Sequence, residues 1–194
     1  MNSKTKIINI CGGPGTGKST IATGVYSKLK IHTIDCELAS EYAKDVTWEG
    51  HDALFNNQIK IFAEQFRRIY RLLDKVDYII CDSPLLLNSI YLKSFLESDD
   101  KKFFSSEYYD QQKQFYVDSF DEFNNLNFYV TRNTKYHTMS GRVHDLRQSI
   151  ALDKEISELL TACDPTHYVC TGETDVVIDD IVNVIIHGYN GTLN

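Results

Sequence analysis

Apolar residues in this chain follow two periods, and the alternation between them predicts an α/β fold. Short, nearly continuous apolar runs read as strands buried on both faces: Lys6 to Cys11, Ile31 to Cys36, Val76 to Cys81, Asn127 to Thr131 and Thr166 to Cys170. Between them, apolar positions recur three and four apart, the spacing of one helical face. Residues 18 to 29 carry Ile21, Val25 and Leu29 as such a stripe. The longest pattern, residues 52 to 75, carries Leu54, Phe55, Ile59, Phe62, Phe66, Ile69 and Leu73 as an expected core face. Further helices are predicted from about Leu85 to Leu96, Glu107 to Phe123, 148 to 162 and Asp175 to His187. At 194 residues the expectation is one domain over 1–194, a central sheet covered by helices on both faces.

The connection between the first strand and the first helix adds chemistry to that pattern. Gly12-Gly13-Pro14-Gly15-Thr16-Gly17-Lys18-Ser19-Thr20 completes G-x-x-x-x-G-K-[ST] directly after an apolar strand. Its glycines let the backbone curl so that successive N–H groups converge on an anion, and the helix start adds unpaired N–H groups and a positive dipole end. Lys18 is expected to reach the β- and γ-phosphates. The Ser19 hydroxyl is expected to ligate Mg²⁺, a hard cation that accepts oxygen ligands. The expected ligand is ATP with Mg²⁺.

Further candidates lie at the ends of the other strands. Asp82-Ser83-Pro84 follows Tyr-Ile-Ile-Cys at the third strand, across from the phosphate loop. Asp82 could order the magnesium shell, accept the proton of an acceptor hydroxyl, or cap the helix that follows. No arginine follows it, which leaves a neutral hydroxyl acceptor open. After the second strand, Glu37 and Glu41 stand four apart, so one helical face could offer both to a substrate. On the long helix, Gln65 and Arg67 are polar positions beside the apolar stripe, and Arg67 shares a face with Arg71. The segment 132–147 concentrates Arg132, Arg142 and Arg147 in an otherwise acidic chain, and reads as a lid whose guanidinium groups cover a transferring phosphoryl group. Arg132 and Arg142 are the stronger candidates there. Thr171-Gly172-Glu173, after the fifth strand, is placed to border a purine ring.

Charge and composition narrow the partners. Twenty basic against 27 acidic residues leave a formal charge of −7, which disfavours long nucleic acid as a ligand. No apolar run approaches the roughly 20 residues of a membrane span. Five cysteines, odd in number and without metal-ligand spacing, read as reduced core thiols in a cytoplasmic protein.

Phosphate loop, Asp-Ser-Pro after the third strand and an arginine segment before the fifth together resemble the nucleoside and nucleotide kinases of the P-loop superfamily. More closely, Glu41-Tyr42-Ala43-Lys44, the Gln65-bearing helix, Asp82-Ser83-Pro84 and Arg132 through Tyr136 to Gly141-Arg142 look like bacteriophage-type kinase-like ATPases related to the ribosylnicotinamide kinase domain. This resemblance covers residues 6 to 170. It implies a three-layer P-loop fold with a five-stranded parallel sheet of order 2-3-1-4-5, and a carboxylate, here Asp82, near the acceptor hydroxyl or the metal. The insertion at 97–112 departs from shorter relatives. The expected activity is transfer of the γ-phosphate of ATP to a nucleoside or nucleotide. Alternatives are a kinase acting on polynucleotide 5' ends or modified DNA bases, or an ATPase with no small-molecule acceptor. No N-K-x-D guanine reader occurs, and a homodimer is compatible with any of these readings.

Overall fold

The structure is a computed structural model and describes residues 3–50, 57–96, 105–133 and 145–188. Five strands, β1 (Lys6–Cys11), β2 (Cys36–Ala39), β3 (Tyr78–Cys81), β4 (Asn124–Val130) and β5 (Tyr168–Cys170), form one sheet in the order β2-β3-β1-β4-β5. Every neighbouring pair is parallel, with β1 central between β3 and β4. The helices are α1 (Lys18–Ile31), α2 (Tyr42–Trp48), α3 (Gln58–Tyr70), α4 (Leu87–Leu96), α5 (Ser106–Asp121), α6 (Leu146–Cys163) and α7 (Thr174–His187). The expected three-layer α/β fold and its strand order are thus observed.

Alternation along β1 shows how the layers are made, since a strand turns successive side chains to opposite faces. Ile8 and Ile10 join one core with Ile21, Val25 and Leu29 of α1 and Val177, Ile181 and Val184 of α7. Ile7 and Cys11 join the other, where Phe62 and Ile69 of α3, Tyr116 and Phe120 of α5, and Leu152 and Ile156 of α6 pack. Asn9 points to this second face and is buried, yet its amide is satisfied. Its Nδ2 donates to Asn125 Oδ1 at 2.8 Å and to Asn127 Oδ1 at 2.9 Å, and Asn127 donates onward to Asp164 Oδ2 at 2.9 Å.

Several boundaries differ from the sequence expectation. The second strand starts at Cys36, not Ile31, because α1 continues through Ile31, whose side chain is 76% exposed. Thr33, in the left-handed region at φ 60°, then turns the chain. The predicted helix over 52–75 is described only as Gln58–Tyr70. It gives way to tight turns and to Asp74 at φ 58°, whose N–H donates to Thr5 Oγ1 at 2.9 Å. Ile59, expected in the core, is half exposed, while Gln58 beside it is buried. Leu54, Phe55, residues 97–104 of the insertion and most of the arginine segment lie outside the described residues. Past the insertion, Ser105 caps α5 by accepting from the Tyr108 N–H at 3.2 Å, and α6 opens on a reciprocal capping box between Asp145 and Gln148.

Candidate functional site

The phosphate loop leaves β1 at Cys11 and enters α1 through Gly17, which serves as N-cap in the left-handed region at φ 91°. No side chain caps this helix and no acidic residue sits in its first turn. Its leading N–H groups are therefore offered to an anion in place of a capping side chain. Gly12 is required by close approach: a Cβ there would stand 2.8 Å from Thr16 Oγ1 and 2.9 Å from the Val130 carbonyl of β4. Inside the loop, the Gly13 carbonyl accepts from Lys18 Nζ at 3.0 Å and from Thr16 Oγ1 at 3.0 Å. Lys18 is thus drawn in over the loop.

Asp82 stands just past β3, at the same end of the sheet. It is 5% exposed, and its Oδ1 is buried without a hydrogen-bond partner among the described residues. An orphaned carboxylate oxygen is costly to bury and leaves an acceptor open at this site. Glu41 joins Asp82 and Lys18 in one electrostatic cluster. Burial lowers the Lys18 ammonium below the ordinary lysine range, against the opposing pull of Glu41 and Asp82. Burial likewise raises the Glu41 carboxyl; Lys18 opposes that rise and Asp82 adds to it. Two carboxylates and one ammonium therefore share a poorly solvated pocket. Tyr91 of α4 is held above its usual range by burial, with Glu41 and Asp153 contributing.

The pocket residues are set in place by neighbours that sequence reasoning assigned otherwise. Gln65, expected to touch substrate, is 1% exposed; it accepts from the Tyr42 N–H at 3.0 Å and donates to Cys81 Sγ at 3.7 Å. It caps α2 from the side, where the N-cap residue Glu41 makes no side-chain cap of its own. Arg67 projects outward and pairs with Glu64 at 2.9 Å, the ordinary i, i+3 surface arrangement. It is the adjacent Arg68 that reaches inward, donating to the Ser40 carbonyl at 3.0 Å and Ser40 Oγ at 2.9 Å, pairing with Asp45, and lying over the Tyr42 ring. Gln65 and Arg68 together fix the backbone on which Glu41 sits. Glu37 does not share a helical face with Glu41: it lies within β2 and pairs with Lys30 of α1 at 3.5 Å.

Arg132, expected as a lid cation, is anchored instead. Its side chain is 8% exposed; Nε donates to Asp153 Oδ2 at 2.7 Å, and Nη2 donates to Asp153 Oδ1 at 3.0 Å and to the Pro14 carbonyl at 2.8 Å. Asp153, on α6, also accepts from the Gly13 N–H at 3.0 Å. Sequence reasoning missed Asp153, because nothing local in the run Asp153-Lys154-Glu155 separates it from a solvated helix face. Arg142 lies outside the described residues, and Arg147 is exposed in the first turn of α6. Gly172, after β5, takes φ 121° with open space where a Cβ would stand.

Among the described residues no group of three or more His, Cys, Asp or Glu side chains gathers as a self-sufficient metal site, and no helix is long and apolar enough to cross a membrane. The five cysteines are free thiols. Burial pushes the Cys11 thiol up to about 12, which makes it inert rather than nucleophilic. For Mg²⁺ the residues present fit a partial shell: the Ser19 hydroxyl at the loop and the Asp82 carboxylate, one oxygen of which has no partner among the described residues, are hard oxygen donors, with phosphate oxygens and water to complete it.

Comparison with known proteins agrees with this geometry. A solved deoxyadenosine kinase from M. mycoides with bound dATP superposes with a TM-score of 0.62 at 19% identity, over 95% of this chain and all of that one. Structures of the kinase from the same organism with dCTP, and with the products dCMP and a flexible dCDP, superpose at 0.57 and 0.58, each at 17% identity over 94% of this chain and 97% of theirs. At that identity the likeness establishes a shared fold. No curated protein sequence matches the chain. Residues 7–174 match the profile of a family described as an AAA domain, a span that takes in the phosphate loop, Asp82, Arg132 and Asp153. The chain therefore belongs to this AAA domain family of P-loop proteins.

Proposed function

We propose that the protein is an ATP- and Mg²⁺-dependent phosphotransferase that passes the γ-phosphoryl group to a hydroxyl of a nucleoside or nucleotide. The observation that carries this reading is the buried, unpartnered Oδ1 of Asp82, gathered with Glu41 around the lysine of an open phosphate loop. Asp82 is buried and Glu41 half-buried beside this anion site, where one carboxylate suits a nucleotide-bound cation and a second suits an incoming hydroxyl. Carboxylates there serve an incoming hydroxyl and a cation.

In this reading the loop N–H groups and Lys18 hold the triphosphate in line and stabilise the charge that develops on its transferring end. Glu41 accepts a hydrogen bond from the acceptor and orients it. The acceptor oxygen forms a bond to the γ-phosphorus as the bond to the β,γ-bridging oxygen breaks; Asp82 takes the hydroxyl proton, and ADP leaves with the bridging oxygen. Ser19 and the second oxygen of Asp82 would hold Mg²⁺, which, when bound, neutralises the β- and γ-oxygens. The likeness in fold to deoxyadenosine kinases and the resemblance to the ribosylnicotinamide kinase domain both favour an acceptor with a ribose-type hydroxyl. In this reading acceptor contact falls to Glu41, since Glu37 and Arg67 are engaged by Lys30 and Glu64, and Gln65 acts through α2.

The test is incubation with γ-labelled ATP, Mg²⁺ and separate panels of nucleosides (nicotinamide riboside included), nucleotides and 5'-hydroxyl oligonucleotides. Label is expected in a small-molecule acceptor. Label in oligonucleotides alone, or release of free phosphate with no labelled acceptor, overturns the proposal.

A further inference from the structure

We propose that Asp153 is a positioning residue for Lys18, acting across the fold through Gly13, and that Arg132 braces Asp153 instead of closing as a free cation over the phosphates. The inference rests on the reading that the loop binds a nucleoside triphosphate; it adds how the loop is held in register to do so.

Gly13 is hydrogen-bonded on both sides. Its N–H donates to Asp153 Oδ1 at 3.0 Å, and its carbonyl accepts from Lys18 Nζ at 3.0 Å. Whatever fixes Gly13 therefore fixes the carbonyl against which the lysine rests. The approach leaves no slack: a Cβ on Gly13 would lie 2.1 Å from Asp153 Oδ1 and 3.1 Å from the Ser149 carbonyl, so the loop lies flat on α6. Arg132 closes the arrangement from the end of β4. It holds both oxygens of Asp153 in a fork, and the same Nη2 also reaches the Pro14 carbonyl, so two consecutive loop residues are gripped from one ion pair. With side-chain exposures of 8% and 14% for Arg132 and Asp153, this pair is shielded from water and held at short range. The turn of α6 that bears Asp153 is itself tied down, because Tyr129 Oη donates to the Asp153 carbonyl at 2.9 Å.

A mobile lid cation would need a side chain free to leave its partners. Arg132 spends its Nε and Nη2 on the fork and the loop, and its Nη1 is buried with no partner among the described residues. Its removal would leave the Asp153 carboxylate buried beside the phosphate site without its counter-charge, which repels the same phosphates that the loop attracts.

The experiment is calorimetric titration with ATP and no acceptor, on full-length wild-type protein, Asp153→Ala, Asp153→Asn and Lys18→Ala, and on the Asp153→Ala/Lys18→Ala double variant, with the fold of each checked by circular dichroism. Asp153→Ala is expected to raise the Kd for ATP about tenfold in the Lys18 background and by less than about twofold when Lys18 is already alanine, since the group being positioned is gone. Asp153→Asn keeps one oxygen for the Gly13 N–H and should fall between. A merely structural aspartate would weaken binding by the same factor in both backgrounds. That result, or an unchanged Kd in Asp153→Ala, overturns the proposal. Should Asp153→Ala fail to fold, the Asn variant is read in both backgrounds by the same criterion. Wild-type protein that binds no ATP overturns it outright, whereas ATP binding without any phosphorylated acceptor defeats only the phosphotransferase reading.

Discussion

The two faces of the sheet are packed in different materials. The face under α1 and α7 is mainly aliphatic, with Ile8, Ile10, Val25, Leu29, Val177, Ile181 and Val184 beside one buried ring, Phe128, stacked on Tyr168 at 5.1 Å. The face under α3 to α6 is built on rings, with Phe62 stacked on Tyr116 at 4.6 Å and Phe66 on Tyr70 at 5.6 Å. The first face carries α1, whose start offers uncapped N–H groups, and it is closely fitted where Gly24 meets Ile178 of α7. The second carries α6, on which the phosphate loop lies, and beside it are the buried polar atoms without partners among the described residues, Asp82 Oδ1, Tyr116 Oη, Ser149 Oγ and Arg132 Nη1. The aliphatic face thus backs the helix that the phosphate loop enters. The ring-bearing face backs Asp82 and the polar atoms that the described residues leave without partners.

The largest effect that tests this division is at Asp82. If its open oxygen is kept for an acceptor proton, Asp82→Asn should cut kcat by about 10²-fold or more and change ATP affinity little. Steady-state kinetics beside an ATP titration decide it, and a variant with wild-type kcat would assign the aspartate to local structure alone. Next is Gly24 of α1, where a Cβ would meet Ile178 Cδ1 of α7 at 2.3 Å. Gly24→Val should cost about 2 kcal/mol by overpacking, a Tm lower by roughly 5 °C. A variant that melted with the wild type would mean the aliphatic face is not closely fitted.

A smaller effect depends on pH. Because burial raises the Glu41 carboxyl, the folded protein holds that proton more tightly than the unfolded chain, and stability is lost as pH rises through the interval between the two values. Glu41→Gln should therefore melt higher than wild type at neutral pH, with the gain closing as pH falls to about 4, where the unfolded carboxyl is itself protonated. An equal difference at both ends of a pH series of melts would exclude the ionised carboxylate as the cause. The smallest effect is at Tyr116, whose hydroxyl is buried unpaired among the described residues. Tyr116→Phe should be neutral or stabilising by less than about 1 kcal/mol in chemical denaturation, and a clear loss would reveal a partner for that oxygen.

What the sequence made legible follows from which signals are local. The phosphate loop was readable because its glycines, lysine and serine are adjacent and each has a task that no other residue type does as well. The sheet was readable because buried parallel strands are apolar on both faces, although β2 was placed five residues early. Ile31 is apolar, yet it ends α1 on the exposed side, and periodicity cannot tell an exposed isoleucine from a buried one. The polar half of the site was less legible. Arg67 and Arg68 are neighbours of the same chemistry, and only the rotation of α3 decides that Arg68 meets Ser40 and Asp45 while Arg67 meets Glu64. Glu37 and Glu41 have helical spacing, but β2 extends to Ala39 and separates them. Asp153 had no local signal at all, because its meaning comes from Gly13, 140 residues away.

The asparagine ladder at the seam of β1 and β4 bears on how the chain is made. Emerging from a ribosome, residues 1–123 hold β1 and β3 but not β4, so one edge of the central strand is bare until the second half of the chain is synthesised. A bare apolar edge accepts any passing strand. Asn9 sits in the middle of that edge, and a wrong strand, or β4 shifted by one residue, would bury its amide without Asn125 and Asn127 to receive it. Burying an unpaired amide costs about 1–3 kcal/mol, enough to make a premature pairing short-lived. Asn9 thereby penalises any partner at the central edge other than the strand that carries the matching amides.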